Sequence, residues 1–187
     1  PVYGEINRQL WLDFEKGGID QARLRTRRFE LLSEAINVDY DLPAFSASYL
    51  IHLGNGIFLM DEAEEMVKSL WGRFNLAAIT NGLTEVQRPR LAASSIDGCF
   101  KAVIISEEVG AAKPAPEIFD VAFERMGHPA RSEVLIVGDS LTSDILGGHN
   151  YGIDTCWFNP DGKTDGQAMS TYEIHRLAEL LRIVQDA

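Results

Sequence analysis

Positive charge is scarce in this 187-residue chain: 17 Lys and Arg stand against 28 Asp and Glu, a net charge of −11. That balance excludes general nucleic-acid binding, which leans on neutralising phosphates with Lys and Arg. A phosphate-bearing ligand must instead be drawn by local positive charge, from a lysine, a metal ion or helix N-termini. Cysteine is nearly absent. Cys99 and Cys156 follow no C-x-x-C or Cys/His metal spacing, so no disulfide framework or zinc site is expected, only two reduced, buried thiols in a cytoplasmic protein. The four histidines, His52, His128, His149 and His175, show no spacing with a nucleophile or with each other, and read as structural or exposed. Long apolar runs are missing too. No stretch approaches the roughly 20 residues that span a bilayer, and no signal-peptide pattern opens the chain. Repeats and low-complexity segments are absent.

What is present is a periodic pattern in two parts. Residues 4–16 and 20–36 alternate as amphipathic helices split by Gly17-Gly18, and a third helix is expected over 41–53, with Pro43 tolerated in its first turn. No strand accompanies these three helices. Gly54-Asn55-Gly56 is a flexible break, which sets the expected boundary between an all-helical segment, 1–55, and a second domain, 56–187. Beyond it helices and short Val/Ile/Ala-rich strands alternate. Helices are expected at 60–72, 83–94, 116–126 and 142–151, with a closing helix near 173–184, and strands at 75–79, 102–105, 134–137 and 153–157. Such alternation indicates an α/β fold, a Rossmann-like parallel sheet flanked by helices. A chain of this length buries roughly 70% of its unfolded surface, enough for one core plus a small appendage.

Three strand ends carry the chemistry. In VLIVGDSLTSD, residues 134–144, an apolar strand stops at Gly138-Asp139 and a second carboxylate, Asp144, follows in the first turn of the next helix. Such a pair can hold Mg²⁺, which takes carboxylate and water oxygens and keeps positions free for phosphate. By itself the segment reads equally as a helix cap. Upstream, NLAAITNG ends a strand in Thr80-Asn81-Gly82, and AVIISEEVGAAKP leads from a strand to Lys113-Pro114. Taken singly, Asn-Gly is a turn signal and the lysine a loop residue. Together they place a hydroxyl, a lysine and an acidic pair on successive strand–helix units, whose strand ends gather on the edge where α/β sheets bind ligands. Thr80 has a hydroxyl, and Asn81 and Gly82 have backbone N–H groups, to give to phosphate oxygens; Lys113 supplies a cation. Ser140 reads as a helix cap. Trp11, Phe14, Arg23, Arg25, Arg27 and Arg28 in the helical segment read as core aromatics and a solvated basic face rather than as substrate contacts.

With these motifs the chain resembles the haloacid dehalogenase-like hydrolase superfamily, and within it the pyrimidine 5′-nucleotidases. Thr80-Asn81-Gly82 is similar to the second motif of that superfamily, Lys113-Pro114 to its third, and Gly138-Asp139 through Asp144 to its fourth. LWLDFEKGGI, ISEEVGAAKPAPEIFDVAFERMG and DILGGHNYGIDTCWFN extend the likeness over nearly the whole chain. The resemblance implies a helical cap on an α/β core and phosphoryl transfer to an aspartate. Mg²⁺ would bridge that aspartate, Asp139 and Asp144, and the phosphate, with Asp144 acting through water or by pairing with Lys113. It also implies a small phosphorylated substrate, a nucleoside monophosphate above all, and a monomer or small homo-oligomer.

One departure stands out. The first motif of the superfamily, an N-terminal strand ending in Asp-x-Asp, has no counterpart before residue 75: Asp13 lies in a helical pattern, and Asp39 and Asp41 lie in a polar break. The chain reads as a fragment that opens inside the cap and lacks the nucleophile, expected to be inactive as it stands. In the superfamily that strand lies mid-sheet, so a break is expected between the strands ending at Thr80 and Asp139. A haloacid dehalogenase, a phosphomutase or phosphonatase of the same superfamily, and a non-catalytic ligand-binding homologue are the alternatives. The acidic pair disfavours the dehalogenase, because carbon–halogen displacement has no use for a cation site.

Overall fold

The structure, a computed structural model, describes residues 2–164 and 170–185. The chain divides into two compact units, Pro1–Gly56 and Ile57–Ala187.

The first unit is entirely helical among the described residues: α1 (Val2–Glu15), α2 (Gln21–Ile36) and α3 (Leu42–Asn55). Local chemistry sets the ends. Asp20 caps α2 by accepting from the Arg23 N–H at 2.7 Å, and Asp41 caps α3 by accepting from the Ala44 N–H at 3.0 Å. Each satisfies a donor that the first helical turn leaves without a partner. Leu10, Leu24, Phe29 and Leu50 are buried between the helices, and the Phe29 ring meets Tyr3, Phe45 and Tyr49. The basic series of α2 divides by face. Arg23 and Arg27 pair with Glu30, whereas Arg28 is buried with its guanidinium over the Phe29 and Tyr49 rings. Arg28 therefore departs from the expected solvated face.

The second unit contains α4 (Ala63–Leu70), β1 (Ala77–Thr80), α5 (Thr84–Ala92), β2 (Ala102–Ile105), the single turn α6 (Ser106–Val109), α7 (Pro116–Met126), β3 (Leu135–Gly138), a π-helical turn over Leu141–Ile145, α8 (Leu146–Tyr151), β4 (Asp154–Phe158), β5 (Tyr172–Ile174) and α9 (Leu180–Ile183). All strand pairs are parallel. β1 pairs with β2, and β3, β4 and β5 form a second sheet in that order. Among the described residues β1 and β3 are not hydrogen-bonded to each other, so the parallel sheet stands in two pieces, with the break between the Thr80 and Asp139 strands.

Alternation along β3 shows how the layers form. Val134 and Ile136 pack toward Ile104, Ile118, Phe119 and Tyr151, while Leu135 and Val137 pack toward Leu70, Cys156, Ile174 and Leu180. Successive strand side chains point to opposite faces, so helices cover both sides. Each fully buried Ile or Phe here stabilises by about 1.5–3 kcal/mol. Two glycines let α8 pack closely, Gly148 against the sheet and Gly147 against α7. A methyl at Gly148 would lie 2.5 Å from Ile136 Cγ2 and 2.7 Å from Thr155 Cγ2, and one at Gly147 would lie 2.8 Å from the Phe119 ring.

The chain's end requires a correction. The helix expected near 173–184 begins instead as β5, and α9 is only four residues long. Tyr172 and Ile174 are residue types that suit a pleated surface. Thr171 and Thr155 exchange N–H to hydroxyl bonds of 3.0 and 3.1 Å that fix this strand beside β4.

Candidate active site

The tip of β1 is held by side chains rather than left open. Thr80 ends the strand, and its Oγ1 accepts from Gln87 Nε2 at 3.0 Å. The Asn81 side chain clasps the backbone of Lys113 from both sides: its Oδ1 accepts from the Lys113 N–H at 2.8 Å, and its Nδ2 donates to the Lys113 carbonyl at 2.9 Å. Asn81 thus fixes the lysine's backbone. The Gly82 N–H, expected to face phosphate, is engaged within the protein here. That N–H donates to Ser106 Oγ at 3.0 Å, because the start of α6 lies against the turn and a buried N–H must find an acceptor. The Thr84 N–H, at the start of α5, donates to Glu107 at 2.7 Å. Arg88 pairs with Glu108 through two nitrogens, which ties α5 to α6 and holds the Glu108 carboxyl below its usual range.

Lys113 reaches from its loop into the interior. It is buried, and its Nζ donates to the Ile79 carbonyl of β1 at 2.8 Å and to Asp144 Oδ1 at 2.5 Å. One ammonium therefore links the β1 piece of the sheet with the segment that follows β3. Asp144 is buried as well, and its other oxygen accepts from the Ser140 N–H at 3.1 Å. Both carboxylate oxygens of Asp144 thus have partners. Ser140 caps the π-helical turn by accepting from the Ser143 N–H. Gly138 makes room for all this. A Cβ there would overlap the Asp144 carboxyl, so only glycine admits the carboxylate this close to the strand end.

Asp139 differs in every respect. It is exposed at the end of β3, and among the described residues its carboxylate has no hydrogen-bond or ion-pair partner. Its backbone is fixed, since the Trp157 indole N–H of β4 donates to the Asp139 carbonyl at 3.1 Å. Among the described residues no three carboxylate, His or Cys side chains cluster as a metal site. Cys99 and Cys156 are buried and unpaired, and burial, followed by the Glu179 charge, pushes the Cys156 thiol from 9.0 to about 11.

Thr80, Asn81 and Lys113 are brought together around the β1 tip, and Asp144 joins them through Lys113. Gln87, Ser106 and Trp157 are contacts that spacing alone did not indicate. For Ser106 a signal exists, because it directly follows the end of β2, on the edge already marked by Thr80 and Asp139.

A parallel α/β core thus holds a hydroxyl, a buried lysine and a buried carboxylate at its strand ends. The chain belongs to the haloacid dehalogenase-like hydrolases, whose family profile matches residues 2–152. It is 37% identical to the HAD-hydrolase YfnB of Bacillus subtilis over 183 residues, which cover 97% of this chain and 78% of YfnB. It is 34% identical to the pyrimidine 5′-nucleotidase YjjG of Escherichia coli, covering 97% of this chain and 80% of that protein, and 34% identical to the pyrimidine 5′-nucleotidase PynA of Streptococcus pneumoniae, covering 96% and 76%. The crystal structure of YfnB bound to magnesium superposes with a TM-score of 0.91, covering 98% of this chain and 81% of that one. A dehalogenase with an intermediate complex, at 19% identity and a TM-score of 0.82, shares the fold.

Proposed function

We propose that this hydrolase is a Mg²⁺-dependent phosphomonoesterase that works through an aspartyl-phosphate and takes pyrimidine nucleoside monophosphates, with the helical unit as its cap. The observation that carries this reading is the buried Lys113–Asp144 pair in the segment that opens with Asp139, whose exposed carboxylate has no partner among the described residues. A lysine spends its positive charge well where phosphoryl oxygens gather charge in a transition state. Asp144 fixes that ammonium, and Asn81 holds its backbone.

The residues fit a magnesium ion. Asp139 is a hard oxygen donor without a partner among the described residues, and such sites use one or two carboxylates with water and substrate phosphate completing the shell. Asp139 would be the direct ligand. Asp144, its oxygens already shared between Lys113 and Ser140, would act through water or through Lys113. Bound there, the ion would neutralise charge on the phosphoryl oxygens. Thr80 would hydrogen-bond the phosphate. The nucleophilic aspartate is a further group, since each of these residues already has another task. Similarity to YjjG and PynA supports the nucleotide substrate, and the two unpaired thiols suit a reducing cytoplasm.

The experiment is a panel of phosphomonoesters, including dUMP, sugar phosphates and an aryl phosphate, assayed on the full-length protein with Mg²⁺ and with EDTA. Hydrolysis favouring dUMP and abolished by EDTA is expected. Full activity in EDTA would refute the metal, and equal rates on sugar phosphates would refute the nucleotide preference. Release of halide from chloroacetate without phosphatase activity would make the protein a dehalogenase.

A further inference from the structure

Gln87 lies in the second turn of α5, seven residues after Thr80, and its amide crosses directly over Gly82 to reach Thr80 Oγ1 at 3.0 Å. A methyl at Gly82 would lie 2.7 Å from Gln87 Nε2 and 2.9 Å from its Cγ, so the side chain occupies space that only glycine leaves open. The bond has a direction. An amide nitrogen carries only hydrogens to give, so the Thr80 oxygen is the acceptor and its hydroxyl proton is left for another partner. An unrestrained threonine hydroxyl rotates, and readily turns its proton onto a nearby backbone carbonyl. Gln87 occupies a lone pair of that oxygen and so limits where its proton points. The neighbouring backbone is fixed as well, with the Gly82 N–H given to Ser106 and the Thr84 N–H given to Glu107.

We propose that Gln87 is a positioning residue that presets the Thr80 hydroxyl as a hydrogen-bond donor to a tetrahedral oxyanion, and that Gly82 supplies the clearance for it. For a phosphoryl group in turnover, this rests on the phosphatase reading above. A donor oriented before the ligand arrives costs no reorganisation when charge develops on the oxygen.

A double-mutant cycle on the full-length protein with Mg²⁺ tests it, combining Gln87→Met and Gln87→Glu with Thr80→Val. Two readouts apply: kcat and KM on an aryl phosphate, and binding of inorganic phosphate by titration calorimetry, which needs no turnover. Gln87→Met should lower kcat about tenfold, less than the loss of a whole oxyanion donor, and weaken phosphate binding several-fold with an unchanged melting temperature. Gln87→Glu, of the same shape but able only to accept, should capture the hydroxyl proton and cost about ten times more. In the Thr80→Val background both substitutions should have no further effect, because the group they act through is gone. A Gln87→Glu loss that persists in that background would mean plain charge repulsion and would overturn the proposal. Equal losses from Gln87→Met in both backgrounds, wild-type kinetics in Gln87→Met, or failure of the wild-type protein to bind phosphate would do the same. If the phosphatase reading alone is wrong, phosphate binding will keep its dependence on Gln87 and Thr80 while no phosphomonoester is hydrolysed.

Discussion

The tips of β1 and β3 are built from the same plan, a short apolar strand stopping at a polar turn before a helix, yet they solve opposite problems. At the β1 tip the polar groups are neutral and hydrogen-bonded inward: Thr80 to Gln87, Asn81 to the Lys113 backbone, Gly82 to Ser106. At the β3 tip the groups are charged and unequal, with Asp144 buried against Lys113 and Asp139 exposed without a partner among the described residues. The first tip is a rigid frame. The second keeps one carboxylate fully committed and the other free. Lys113 belongs to both, because its ammonium touches the Ile79 carbonyl on one side and Asp144 on the other.

The largest way to break this arrangement is Lys113→Met. Removing one partner of a buried ion pair leaves an uncompensated charge, which costs about 3–5 kcal/mol. Urea denaturation should show that loss, and turnover should fall on the order of 10²-fold or more. Asp144→Asn in the Lys113→Met background should restore part of the stability but none of the turnover. A Lys113→Met protein of wild-type stability would show that the pair is not buried in solution. Gly138→Ala sets a methyl against the Asp144 carboxyl without touching the β1 tip. About 1–3 kcal/mol should be lost, as in other overpacked interiors, and a neutral outcome would mean that the carboxylate moves aside freely.

Asn81→Ala strips both partners from the Lys113 backbone N–H and C=O. A loss of about 1–3 kcal/mol is expected at this half-buried site, together with reduced turnover although the ammonium itself is untouched. Unchanged turnover would separate the frame from the charge. Below the tips, Cys156 on β4 is a neutral counterpart of the buried pair. Its folded thiol holds its proton up to about pH 11, above the ordinary 9.0. The stabilisation is therefore fully present below pH 9. It is lost between pH 9 and 11, where the unfolded chain releases the proton first, at about 1.4 kcal/mol per pH unit. Denaturation midpoints measured from pH 8 to 11 should show this slope, and Cys156→Ala should flatten it.

The smallest structural effect is expected from Asp139→Asn. An exposed carboxylate without a partner should change stability by less than about 0.5 kcal/mol, while Mg²⁺-dependent turnover falls sharply. A large drop in melting temperature would place Asp139 in the frame and erase the contrast between the two carboxylates.

Much of this was legible from pattern. The strand at 102–105 and the helix at 116–126 stand where periodicity puts them, because an apolar run bounded by turn residues admits few other folds. The β5 strand was not, since Tyr172–Ile174 spans only three residues and its neighbours read as a helical face. Among the candidate site residues, Thr80 and Asp139 stand out by strand-end position, and Lys113 and Asp144 by their place in the loop and turn that follow. Spacing could not say which carboxylate would be committed to the lysine; that depends on a glycine at 138 and on the turn between the two acids. Ser106 and Gln87 carry no such signal in spacing, because their partners lie 24 and 7 residues away in the chain and meet them only once the turn has formed.

The glycine pair of α8 acts as a depth gauge. With no side chain between helix and sheet at Gly148, the helix rests on the methyl groups of Ile136 and Thr155, and its height is set by backbone thickness alone. Asp144 stands one turn upstream, in the π-helical turn that runs directly into α8. A methyl added at Gly148 must therefore lift a charge it never touches, turning tolerance to substitution at a wholly apolar contact into a measure of how closely Lys113 and Asp144 must meet.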